Sequence, residues 1–121
     1  GGKVFNVGFE KAPGSNLNTQ VLNDHSYCCQ YGFFCGENDE IPLDMIPTCK
    51  ENHRKLITTR VEDAKRLGVP FILPEFGACS QNLDCALEIR ALTESADESL
   101  IGWAYWSFKE FDDPTTAAGI L

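Results

Sequence analysis

No stretch of the sequence is apolar for long enough to cross a bilayer, so a membrane-spanning helix is excluded as its organising feature. It also lacks a basic stripe: at a formal charge of −8, the few Lys and Arg residues are mostly dispersed among acids between Lys50 and Arg66. With nothing positioned to neutralise a phosphate backbone, nucleic acid is excluded as a partner. There is no Gly-rich phosphate loop, and so no mark of a nucleotide-binding switch point. Internal repeats and low-complexity tracts are missing too. The chain opens Gly1-Gly2-Lys3 with neither a methionine nor a charged-then-apolar leader, which places any targeting signal upstream.

What is present has the balance of a folded domain, with 43% hydrophobic and 23% charged residues. Cys28, Cys29, Cys35, Cys49, Cys79 and Cys85 are many thiols for a reducing compartment, and they sit mainly in loop-like sequence. Zinc is the rival use of such residues. Its sites usually show paired Cys-x-x-Cys knuckles, whereas here Cys28 and Cys29 are adjacent and Cys79 and Cys85 have five residues between them. Disulfides and an extracellular or lumenal location, in the secretory pathway or a lysosome-like compartment, are therefore expected. The pairing is left open by sequence.

Lys3 to Phe9 and Gln20 to Tyr27 hold β-branched and aromatic residues between loop signals and are expected to be strands. Cys28 to Pro47 has no steady periodicity and reads as a long loop pinned by cross-links. Thr48-Cys49-Lys50-Glu51 fits a capping box, Ile57, Val61 and Ala64 recur at helical spacing, and Gly68 is a stop signal. Val69 to Phe76 is a nearly continuous apolar run of the kind buried in a parallel sheet, with Pro70 and Pro74 expected at its start and its carboxyl end. Asn82 to about Asp97 carries an apolar face of Leu83, Ala86, Leu87, Ile89 and Leu92, and Ile101 to Phe108 is an aromatic-rich strand. This order predicts an α/β fold with parallel strands joined by crossover helices. A (β/α)8 barrel needs about 250 residues, roughly 31 per unit, so the chain holds about four units. The expectation is that residues 1–121 are the C-terminal portion of a TIM barrel, a partial catalytic domain.

Four residues stand out chemically. Glu75 lies between Phe71-Ile72-Leu73-Pro74 and Phe76-Gly77, a poorly solvated acid at a strand's carboxyl end, which is the active-site face of a barrel. The same position also suits an acid that surfaces on a loop or pairs with an arginine. His25 and Tyr27 share a face by strand alternation, with Ser26 opposite; they could line a cleft or belong to an ordinary core. Trp106 could stack on a sugar ring or fill a core. Trp103 and Tyr105 compete for that role, and alternation puts those two together on the other face.

In this order, His25-Ser26-Tyr27, Glu75-Phe76-Gly77 and Gly102-Trp103-Ala104-Tyr105-Trp106 resemble glycoside hydrolase family 5, the retaining (β/α)8 enzymes that include endoglycoceramidases. Val7-Gly8-Phe9-Glu10 followed by Pro13-Gly14 looks like a loop of the endoglycoceramidase branch. The resemblance covers nearly the whole chain. It implies that Glu75 is the nucleophile, that Tyr27 hydrogen-bonds it, that His25 contacts the sugar or the acid/base, and that Trp106 floors the subsite of the cleaved sugar. It implies a carbohydrate or glycolipid substrate with a β-glycosidic bond, and no metal or organic cofactor. The retaining mechanism also needs a second carboxyl about 5 to 5.5 Å from the nucleophile. In the family that is the Glu of an Asn-Glu-Pro, a tripeptide that does not occur here, and Glu10, Asp24 and Glu37 lie in other contexts. The acid/base is accordingly expected upstream, and the 121 residues alone are expected to be inactive. Two further expectations compete with hydrolysis: a non-enzymatic carbohydrate-binding relative that lacks the acid/base, and a cysteine-stapled interaction module.

Overall fold

The computed structural model describes residues 4–28, 41–77 and 83–107. Three strands, β1 (Leu22–Ser26), β2 (Phe71–Phe76) and β3 (Gly102–Trp103), alternate with two helices, α1 (Ile46–Leu67) and α2 (Leu83–Glu98). The strands form one parallel sheet in the order β1-β2-β3. A βαβαβ chain does this because parallel neighbours require crossovers, and each crossover here is long enough to be a helix. The apolar run expected from Val69 lies at the centre of the sheet. The expected segments from Cys29 to Glu40 and beyond Ser107 lie outside the described residues.

Helix α1 begins earlier than a capping box at Thr48 requires. A 3-10 turn, Leu43–Met45, leads into it, Met45 occupies the N-cap without a side-chain bond, and Pro47 sits in the first turn. Proline's fixed φ suits that turn and its missing N–H costs nothing there. Thr48 and Glu51 therefore lie inside the helix, where Glu51 pairs with Arg54 at 2.8 Å and Lys55 at 3.5 Å. The far end is as expected: Gly68, at φ 71°, donates its N–H to the carbonyls of Ala64 and Lys65 and ends the helix.

The expected strand at Lys3–Phe9 does not form among its described residues, 4–9. Its backbone groups are satisfied by α1 side chains instead. Asp63 accepts the Val7 N–H at 3.0 Å, Arg60 donates to the Phe5 carbonyl at 2.9 Å, and Arg66 donates to the carbonyl of Phe9. Asp63 is buried and also binds Arg60 at 3.0 Å and Arg66 at 2.7 Å. Burial alone would raise its carboxyl pKa, but the Arg66 and Val7 hydrogen bonds and the charges of Arg60 and Arg66 outweigh burial and hold it below the ordinary range.

One face of the sheet is covered by the helices. Leu56, Ile57 and Ala64 of α1, Phe71, Leu73 and Phe76 of β2, and Leu92 and Ala96 of α2 form the main core. The buried stripe of α2 runs Cys85, Glu88, Leu92, Ala96, so Leu83 and Ala86 point to solvent instead of into the expected apolar face. Pro70 precedes β2, as expected. Pro74 lies inside it, and that exception sets the geometry of the site.

Candidate functional site

Between Asn23 and His25, β1 advances two residues while β2 advances three: Asn23 pairs with Ile72 and His25 with Glu75. The extra residue is a bulge on β2, in the stretch that contains Pro74. A proline cannot donate to the ladder, and a bulge is where a sheet interior tolerates one. The bulge also resets the alternation. Phe71, Leu73 and then Phe76 face the helices, leaving Ile72, Pro74 and Glu75 on the opposite, open face. Without it Glu75 would lie across from Ser26, which is buried toward α1. With it, Glu75 is opposite His25.

Glu75 consequently receives a different partner on each oxygen. Tyr27 donates its phenol O–H to Oε1 at 2.5 Å, and His25 Nδ1 lies 3.5 Å from Oε2. The three side chains differ in solvation: Tyr27 is buried, Glu75 is 28% exposed and His25 46% exposed, a carboxylate whose protein side is held and whose outer side is open. Burial first, then the hydrogen bond to Glu75 and its charge, hold the Tyr27 phenol far above its ordinary pKa. Tyr27 therefore stays protonated and donates across the physiological range.

Past the strand end, Gly77 has a φ of +114°. A Cβ there would lie 2.5 Å from the Tyr105 ring and 2.7 Å from the Trp106 carbonyl oxygen. Only glycine lets the two strands close at this point. Gly77 bridges Trp106, whose N–H donates to the Phe76 carbonyl at 2.8 Å. The Trp106–Ser107 peptide bond is cis.

Trp103 and Tyr105 share a face, as alternation predicts. Trp103 and Tyr105 both meet the Phe76 ring edge-on, with centroids 5.7 and 5.8 Å away, and Trp103 donates its indole N–H to Asp97 at 2.9 Å. Phe76 faces the helices, so Trp103 and Tyr105 share its side of the sheet. Trp106 is 44% exposed, about as much as Trp103 at 43%, and alternation assigns it to the face opposite Trp103 and Tyr105. Asp24 is committed elsewhere, in an ion pair with Arg60 at 2.7 Å.

On the helix side of the same strand end lies a polar cluster that sequence reasoning missed. His53 of α1 and Glu88 of α2 are both buried, with Nε2 and Oε1 3.0 Å apart. Ser26 Oγ is 2.6 Å from His53 Nδ1, and the Cys28 N–H donates to Glu88 Oε1 at 3.2 Å. Cys28 is disulfide-bonded to Cys49 of α1, whose Sγ is 3.3 Å from His53 Nε2. Ligand atoms of Cys28, Cys49, His53 and Glu88 lie within 4.8 Å of one another, a donor set of zinc type. In the disulfide, however, the two sulfurs are bonded to each other and are not thiolates. One signal for the pair was in the sequence: His53 follows Cys49 by four residues, and Glu88 stands between Cys85 and Leu92 in the buried stripe of α2.

A cavity of about 370 Å³, lined by Phe9, Ala12, Pro13, Gln20, Leu22 and Val69 among others, opens at the opposite, N-terminal ends of β1 and β2. It has no ionisable lining group and is not where the chemistry gathers. The candidate site is the triplet His25, Tyr27 and Glu75, and the Trp106 backbone bridges Gly77 two residues past Glu75. Among the described residues no helix is long and apolar enough to cross a membrane. Comparison of the chain with protein-family models, with curated proteins and with solved structures finds no match.

Proposed function

We propose that this chain is the C-terminal part of a (β/α)8 glycosidase, resembling glycoside hydrolase family 5, that hydrolyses β-glycosidic bonds with retention, including those of glycolipids such as glycosylceramides. The observation that carries the reading is the held carboxylate: Glu75, at the carboxyl end of the central parallel strand, takes Tyr27 on one oxygen and His25 on the other. Substrates of parallel α/β folds bind at that end.

In the proposed reaction a Glu75 oxygen attacks the anomeric carbon as the bond to the leaving oxygen breaks, giving a glycosyl ester that water then hydrolyses. The Tyr27 O–H steadies the carboxylate before attack, and it holds the same group as it departs from the sugar in the second step. Protonation of the leaving oxygen falls to a second carboxyl, the glutamate of an Asn-Glu-Pro outside these 121 residues. Trp106 offers the sugar an indole face. The disulfide between Cys28 and Cys49, with Cys85 also disulfide-bonded, supports work in an extracellular or lumenal compartment.

The test is chemical trapping in the complete protein. A 2-deoxy-2-fluoro β-glycoside with an activated leaving group is expected to label Glu75, and Glu75→Gln to lose turnover by orders of magnitude. Normal turnover by Glu75→Gln would sink the reading. The exposed Trp106 favours a second reading, glycan binding without hydrolysis, in which Trp106→Ala abolishes saturable binding and Glu75→Gln leaves it intact.

A further inference from the structure

Tyr27 is useful to Glu75 only if the strand end that carries it is held still, and the structure holds that end from behind. Residues 25 and 27 point to the open face, while Ser26 and Cys28 point toward the helices. Both helix-side neighbours of Tyr27 are anchored: Ser26 Oγ to His53 Nδ1 at 2.6 Å, and the Cys28 N–H to Glu88 Oε1 at 3.2 Å. The two anchors come from different helices and are themselves joined, His53 Nε2 to Glu88 Oε1 at 3.0 Å. The disulfide from Cys28 to Cys49 adds a covalent tie on α1. Every polar member is buried, and no buried side-chain nitrogen or oxygen among the described residues lacks a partner. Nothing in this cluster reaches the open face. A packed core of apolar side chains would serve stability as well or better, so a complete and buried polar network at this point suggests a demand on geometry.

We propose that His53 and Glu88 are positioning residues: linked across the two helices, they clamp Ser26 and the Cys28 backbone so that the Tyr27 hydroxyl meets Glu75. The proposal rests on the glycosidase reading only for its catalytic consequence; the clamp itself is a statement about Tyr27. Two atoms on the strand, one on each side of residue 27, define the direction of its Cα–Cβ bond. Slackening either lets the phenol swing off the carboxylate, and with it goes the short bond that, together with burial, suppresses the ionisation of Tyr27.

The experiment uses the complete protein with 3-fluorotyrosine placed at position 27 and its ionisation followed by ¹⁹F NMR. The groups that bear on that phenol are Glu75 and Tyr105, with His25 on the other oxygen of Glu75. Ser26→Ala and Glu88→Leu are expected to make the phenol ionise at least roughly one pH unit lower than in the parent. Glu88→Gln, which keeps an acceptor oxygen for the Cys28 N–H, is expected to stay close to it. With an aryl β-glycoside as substrate, the first two should lose roughly tenfold in kcat at a KM within about twofold, since only the transition state needs the held carboxylate. Ser26→Ala removes a single oxygen and keeps the test available if Glu88→Leu does not fold. An unshifted phenol in folded Ser26→Ala overturns the clamp whatever the activity shows. If instead the phenol shifts while Glu75→Gln still turns over substrate, the clamp stands and the glycosidase reading fails.

Discussion

Replacing Gly77 by alanine puts a number on how tightly the site is built. The backbone there is at φ +114°, a region that L side chains rarely adopt, and holding a residue in such a conformation costs about 1–3 kcal/mol. The new methyl would in addition lie 2.5 Å from the Tyr105 ring and 2.7 Å from the Trp106 carbonyl oxygen. The ring could turn, but the carbonyl belongs to the strand that pairs with Gly77, so relief has to come from the backbone. Overpacking of this kind adds about 1–3 kcal/mol, which brings the total to roughly 2–6 kcal/mol. Gly68 is the internal control. It too has a positive φ, +71°, yet its nearest neighbour is a Leu17 methyl 3.9 Å away, so Gly68→Ala meets the conformational cost alone, roughly 1–2 kcal/mol. Urea unfolding of the two variants and the parent, followed by circular dichroism, measures the difference. Gly77→Ala should lose at least about twice as much stability as Gly68→Ala and should also displace Trp106, weakening any glycan affinity. Equal losses would refute the steric argument.

Two further outcomes follow from groups away from the open face. Because the folded protein depresses the Asp63 pKa, its contribution is fully present above about pH 4 and fades as pH falls through the lower folded-state value. Asp63→Asn should therefore cost about 3 kcal/mol at neutral pH, and its deficit against the parent in urea unfolding should shrink below about pH 4. A deficit that is the same at both pH values would contradict the pairing with Arg60, Arg66 and the Val7 N–H. The disulfide between Cys28 and Cys49 spans a sequence separation of 21, for which loop-closure entropy gives about 3 kcal/mol, so the Cys28→Ala/Cys49→Ala double variant should lose that much. Peptide mapping without reduction checks the bond directly, and finding Cys28 paired with another cysteine would overturn it.

The sequence by itself determined whatever repeats within one element. Helical spacing and a C-terminal glycine placed the end of α1 at Gly68, the apolar run marked β2 as a strand of a parallel sheet, and alternation put Trp103 and Tyr105 on one face. It also put His25 and Tyr27 on one face, and both meet Glu75. What depends on a neighbouring element was decided only by tertiary structure. Pairing of His25 with Glu75 depends on one extra residue in β2, a register fact that no single strand's pattern contains. The first segment carries strand-like residues, yet arginines and an aspartate on α1 take its backbone hydrogen bonds. His53 and Glu88 look like two surface residues on two amphipathic helices until the helices pack. Each then becomes the other's reason for being buried, because a polar group leaves water only where a partner waits for it.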